Sequence, residues 1–341
     1  MMTVSLNPQV VPHTPVAALA EGPVWLPEER QLYWLDIEGC RLFRLNFPVA
    51  ASPFCETFVL PNKVGCLAPT MLTGHLLLAT QEGVWEIGLP PPDPAAGPRT
   101  LFQSPATNQG TGPRFLADPE AGRPENRYND GKCSPEGRFW FGSLNMVRQQ
   151  GQAALYMLEE QENGNAPSVV RCVLAGATNS NGLGWSPDGG TFYWIDTPTR
   201  RVAAFDYEAA AGTLANQRVA VQFPEDASFG RPDGMTVDAE GMLWVAHWLG
   251  GRVTRWNPAD GELLTTIKLP VARVTSLTFG GPNLDRLYIT TARQGMREEE
   301  IDTEDGLCGC LFEVVPGVRG LPVHRFRAID PGKGQDIQSI R

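Results

Sequence analysis

Short apolar runs punctuated by tight turns recur along this chain, and long helical periodicity is nearly absent. LYWLDI, LLLATQ, FWFGSL, FYWID, LWVAHW and LYITTA are dominated by apolar and aromatic residues. Runs this short and this uniformly apolar predict strands buried on both faces. Each follows a turn and an earlier apolar strand. The copies are GPVWLPEERQLYWLDI from Gly22, GCLAPTMLTGHLLLATQ from Gly65, GKCSPEGRFWFGSL from Gly131, GLGWSPDGGTFYWID from Gly182, GMTVDAEGMLWVAHW from Gly234 and SLTFGGPNLDRLYITTA from Ser276. Several continue into a third strand, as in CRLFRLN, GVWEIGL, RRVAAFDY and GRVTRWNP. Six units of about four strands, at periods of roughly 40–50 residues, predict an all-β, six-bladed β-propeller. We read residues 1–341 as one domain, with the propeller from about 15 to about 330. The stretch 88–113 holds seven prolines and no clear strand pattern, which predicts a long surface loop between blades two and three.

One position before the aligned glycine, the copies carry Glu21, Val64, Asp130, Asn181, Asp233 and, in the glycine-free sixth copy, Thr275. Equivalent positions at the start of a propeller's inner strands converge on the central channel. Asn181-Gly182 is a favoured hairpin dipeptide, but this copy has its own turn in Ser186-Pro187-Asp188-Gly189. Glu21-Gly22, a poor turn dipeptide, occupies the same register. Asn181 therefore reads as a site residue, and Gly182 as the place where the backbone approaches a neighbour near the axis. Carboxylates and an amide oxygen gathered in a ring repel one another unless a cation sits among them. Oxygen donors suit hard divalent ions such as Ca²⁺, Mg²⁺ or Mn²⁺. The alternative is a hydrogen-bonded polar plug closing the channel.

Composition narrows the partners. The net charge is −10 and there is no long basic run, which disfavours nucleic acid and anionic membranes. MMTVSLNPQVVPHTP has neither a basic segment nor a continuous apolar segment, so no signal peptide is visible. No stretch approaches the roughly 18 apolar residues of a membrane span. Seven scattered cysteines without a CxxC pair predict neither a disulfide framework nor a structural zinc site, and the expected compartment is the cytoplasm.

AEGPVW (20–25), NRYNDGKCSPEGRFWFGS (126–143), NSNGLGWSPDG (179–189), RPDGMTVDAEGMLWVAHW (231–248) and GLCGCLFEVVPGVRGLP (from Gly306) resemble the regucalcin (senescence marker protein), gluconolactonase and luciferin-regenerating enzyme family, in particular its bacterial sugar lactonases. The resemblance runs from about Glu21 to Phe326. It implies a six-bladed propeller with one divalent ion at the top of the channel, held by Glu21, Asn181 and Asp233. It implies substrate contacts from Arg127 and Asn129, and hydrolysis of sugar-acid lactones or related esters. It assigns no direct metal contact to Asp130, which is read as supporting the ligands from outside their ring. Many members carry an acid shortly after the segment that here reads Gly142-Ser143-Leu144. This chain continues Asn145-Met146-Val147-Arg148-Gln149-Gln150 instead, leaving Asn145 or Arg148 as candidates for that role.

Opening a lactone requires a polarised carbonyl, an activated water and a stabilised oxyanion, the work of a divalent Lewis acid. Asp233 is the expected ligand and general base. Oxygen ligation leaves Ca²⁺, Zn²⁺, Mn²⁺, Mg²⁺ and Fe²⁺ open. The expected partner is a small-molecule lactone of gluconolactone type, and nothing in the sequence bears on oligomeric state. A non-sugar ester or phosphotriester is one alternative substrate, and a non-catalytic calcium-binding propeller is the alternative from another class. No G-x-S-x-G elbow or H-E-x-x-H pattern occurs. His247 reads as a packed or rim residue. The acidic stretch from Arg297 to Asp305 reads as a solvated excursion.

Overall fold

A computed structural model describes residues 6–102, 112–159, 168–303 and 306–327. The strands form six sheets, antiparallel but for one edge pairing in blade one, arranged as the blades of a β-propeller. The inner strands, one per blade in chain order, are Ala20–Leu26, Val64–Pro69, Asn126–Cys133, Ser180–Trp185, Arg231–Val237 and Val274–Gly280. The apolar runs form the next strand out. Gln31–Asp36 is buried at every position, and Leu243–Trp248 at all but its last, because each blade is covered on both sides by its neighbours. Aromatic side chains fill the wedges between blades. Trp140 of blade three, for example, meets Trp185, Phe192 and Tyr207 of blade four.

Blade six is closed from the other end of the chain. Its inner strand and Arg286–Thr291 are followed by Phe312–Val314, and the outermost place is taken by Gln9–Val10. The residues after Val314 then cross the underside. Gly320 bridges Asp238 in blade five, and Phe326 bridges Thr70 in blade two.

The proline-rich stretch differs from the expectation. It leaves the third strand of blade two, Gly83–Gly88, and returns as that blade's own outermost strand, Arg114–Ala117, so it lies within blade two. Partway along, Arg99–Thr100 pairs in parallel with Phe54–Val59 on the edge of blade one. Proline lacks the N–H that a ladder needs, so the run at Pro90, Pro91, Pro92, Pro94 and Pro98 bows away from the sheet before pairing resumes. Residues 103–111 of this stretch lie outside the described residues. The acidic excursion forms a short helix, Glu298–Thr303, with three glutamates in its first turn where the helix dipole favours negative charge; Glu304 and Asp305 lie outside the described residues. Among the described residues no helix is long and apolar enough to cross a membrane.

Near the axis the inner strands approach one another through glycine. A Cβ on Gly182 would stand 2.5 Å from the Met235 backbone nitrogen and 2.8 Å from the Asp233 carbonyl oxygen, distances only a hydrogen atom tolerates. Gly182→Ala is expected to push blades four and five apart at Asn181 and Asp233, costing about 1–3 kcal/mol as overpacking does. Gly190→Ala, where the added methyl meets only Asp188 atoms at 3.6 Å or more, is the control. Urea denaturation midpoints check the pair, and equal midpoints would remove the close-approach explanation.

Candidate active site

Glu21, Asn181 and Asp233, from the inner strands of blades one, four and five, line one cavity of about 690 Å³ at an end of the channel. Arg127 and Asn129 of blade three line it too. All but Arg127 have less than a tenth of their surface exposed. The structure thus brings together the five residues that the sequence nominated for metal and substrate contact. Asp130, on the same inner strand as Arg127, is buried but is not among the lining residues. The two remaining ring positions are structural. Val64 is packed in the core, and the Thr275 hydroxyl donates to the Ala20 carbonyl.

Asn181 is held in one orientation. Its Nδ2 donates to Thr197 Oγ1 at 2.9 Å, and that hydroxyl donates onward to the Pro232 carbonyl at 2.9 Å. With the hydroxyl's proton committed, the amide cannot reverse without losing its partner. Its Oδ1 is left buried and, among the described residues, without a hydrogen-bond partner. A buried carbonyl oxygen in that condition costs about 1–3 kcal/mol. Thr197 was invisible to sequence reasoning. It sits in a 3₁₀ turn, Thr197–Thr199, beyond the next strand and outside the repeat register.

Glu21 takes one hydrogen bond, from the Gly22 N–H to Oε2 at 3.1 Å. Gly22 has φ +54°, the left-handed region that glycine enters at low cost. Burial is the largest cause that pushes the Glu21 carboxyl well above its ordinary range, and the charges of Asp233 and Asp130 push the same way. Asp233 is raised well above its ordinary range by burial and then by Asp130. Burial raises Asp130 to about 6, against the opposing pull of Lys132 and Arg127. Lys132 donates to the Met235 carbonyl at 2.6 Å, and burial lowers its ammonium to about 8. The carboxylates of Glu21 and Asp233 and an unpartnered amide oxygen, all lining one cavity, suit a hard divalent cation. A self-satisfied polar plug would have paired Asn181 Oδ1.

Arg127 faces the same cavity. Its Nη1 donates to the Tyr128 carbonyl and to Asn129 Oδ1, both at 2.8 Å, while Asn129 Nδ2 donates to the Ser180 carbonyl at 2.8 Å. Asn129 therefore positions Arg127, leaving Nε and Nη2 as donors toward a ligand. His247 is structural, as expected. It is fully buried, its Nε2 is 2.6 Å from Thr254 Oγ1, and its ring stands edge-on to Phe223 and Phe229. Burial keeps it neutral, with its pKa down to about 3.

These features place the chain in a class: a propeller with a buried acidic cluster at one end of its channel. Residues 19–293 match the SMP-30/Gluconolactonase/LRE-like region, and the chain belongs to that family. It is 35% identical over 311 residues to regucalcin from Danio rerio, covering 90% of this chain and 94% of that protein. The solved structure of a luciferin-regenerating enzyme superposes with a TM-score of 0.81 at 27% identity, over 94% of this chain and 99% of the other. A calcium-binding regucalcin from Agrobacterium tumefaciens superposes with a TM-score of 0.76 at 25% identity, over 92% and 95%. Membership supports a lactonase-type hydrolytic function.

The acidic cluster has a consequence for stability. Carboxyls whose folded pKa is raised hold protons that the unfolded chain releases. Their contribution in the metal-free protein is therefore full below the unfolded value near about 4. It falls as pH rises toward the folded values, about 6 for Asp130 and higher than ordinary for Asp233. Asp233→Asn is expected to raise the Tm of chelator-treated protein by about 2–4 °C at pH 8, with little change at pH 4. Differential scanning calorimetry at both pH values checks this, and equal shifts would show that charge repulsion at Asp233 is not the cause.

Proposed function

We propose that this protein is a divalent-metal-dependent lactonase that hydrolyses a sugar-acid lactone of gluconolactone type. The observation that carries the reading is the unpartnered Oδ1 of Asn181, locked by Thr197 between Glu21 and Asp233. Those three residues would hold the ion, with two carboxylates balancing a divalent charge. The family supports hydrolysis, and the calcium-binding name of the Agrobacterium relative supports a hard cation. Ca²⁺, Mg²⁺, Mn²⁺, Zn²⁺ and Fe²⁺ all accept oxygen donors of this kind.

When bound, such an ion supplies Lewis acidity, polarising a carbonyl and lowering the pKa of water. The chain's own groups supply the rest. Arg127 donates from its free guanidinium edge to the ring or carbonyl oxygen of the lactone, and Asn129 fixes the angle of that donation. Asp233 accepts the proton of the attacking water as the new C–O bond forms. Collapse of the tetrahedral adduct breaks the ring C–O bond, and the departing alkoxide takes a proton to give the open hydroxy acid. The cavity's buried floor keeps other water from these charges, which strengthens each interaction. We place the protein in the cytoplasm, where its scattered cysteines stay reduced.

Asp233→Ala is expected to lower kcat on gluconolactone at least about 100-fold, as loss of a general base does. Chelation should abolish activity, and one divalent ion should restore it. Steady-state assays on one metal-analysed preparation check both, and full activity from Asp233→Ala would end the mechanism. Tight calcium binding without turnover of any lactone or ester would favour the second reading, a calcium-binding propeller, to which the Agrobacterium relative's name points.

A further inference from the structure

The mouth of the active-site cavity is cationic on a chain whose net charge is −10. Its lining includes Lys63, Arg127, Arg148, Arg200 and Arg231. Lys63 is neutralised by Glu38 at 2.8 Å, and Arg200 bonds backbone carbonyls of the Pro224–Gly230 turn. Arg148 and Arg231 have exposed side chains with neither a hydrogen bond nor an ion pair among the described residues. Arg231 lies two positions before Asp233 on one inner strand, so both serve the same cavity.

Arg148 is placed with more care than a surface arginine needs. It adopts φ +59°, which costs a non-glycine residue about 1 kcal/mol. A buried brace holds the turn. Asn145 Oδ1 accepts the Gln149 N–H and the Asn145 carbonyl accepts the Arg148 N–H, both at 2.9 Å. Asn145 Nδ2 donates to Asn126 Oδ1 at 2.9 Å. Of the two candidates for the missing acid's role, Asn145 is therefore committed to the fold, and Arg148 is the group presented to the cavity.

We propose that Arg148 and Arg231 bind an anionic substituent, a carboxylate or a phosphate, on the lactone substrate. This rests on the lactonase reading above and narrows it to lactones of acidic sugars, such as an aldarolactone or a phosphosugar lactone. Planar guanidinium forks without internal carboxylate partners suit both anions.

Two measurements on the metal-supplemented full chain test it. The first compares kcat/KM for glucarolactone, phosphogluconolactone and uncharged gluconolactone. At least one charged lactone is expected to exceed gluconolactone by about tenfold or more, and to lose that advantage as salt rises. R148Q and R231Q should each cut the charged-to-neutral ratio about tenfold, with Arg148→Lys recovering part of it. The preferred charged lactone tells carboxylate from phosphate. Equal use of charged and neutral lactones, or a ratio unmoved by both variants, overturns the proposal. The second measurement is calorimetric binding of the ring-opened dianion glucarate, against the monoanion gluconate. If no lactone is turned over but glucarate binds more tightly in an Arg148- and Arg231-dependent way, the anion site stands and the lactonase reading falls. Absence of both turnover and glucarate preference overturns the anion site.

Discussion

Close backbone packing of the inner strands around the channel is the constraint on which this structure depends. Where Gly182 lies against Met235 and Asp233, no side chain separates blades four and five. The equivalent positions of the inner strands that face the axis are therefore brought close together whatever their charge. Glu21, Asp130 and Asp233 are forced into mutual repulsion, and burial raises their proton affinity further. Ring closure by Gln9–Val10, together with the tail across the underside, keeps the blades from relaxing that strain by opening.

Electrostatic layering follows from this geometry. The floor is acidic and carries one unpartnered amide oxygen. Above it Arg127 is bent into place by Asn129, and around the mouth stand arginines without carboxylate partners. On the proposed reading the floor would draw a cation and the rim an anion, so that a substrate with both a polarisable carbonyl and a negative substituent would meet complementary charge at each end. Trp248 lines the same cavity, with the Arg273 guanidinium over its ring at 5.8 Å from the centroid.

Much of this was legible in the chain. Blade number followed from six copies of strand, turn and apolar strand, because a blade buried on both faces must be apolar at consecutive positions. The ring register followed from one residue before a repeated glycine, and the family resemblance implied which members of that ring would be ligands and which supports. Other features left no trace. Thr197 orients Asn181 from outside the repeat, and a threonine in a Thr-Pro-Thr turn carries no signal of its own. The proline-rich segment conceals a strand, Arg99–Thr100, that pairs with a blade already complete in sequence order. Pairing of that kind depends on which edge lies nearby, not on local propensity.

The sequence by itself determined the architecture and the identities of the groups at the axis, because hydrophobic periodicity and glycine placement act locally and repeat. Only the tertiary structure decided which groups remain available. Asn145 and Arg148 are equal candidates on paper, yet one is consumed by a buried hydrogen-bond network and the other is left unpaired at the mouth. Asn181, a candidate ligand from the sequence, likewise keeps its oxygen available because a distant hydroxyl claims its nitrogen. Availability is set by partners far apart in the chain, and these meet only when the ring closes.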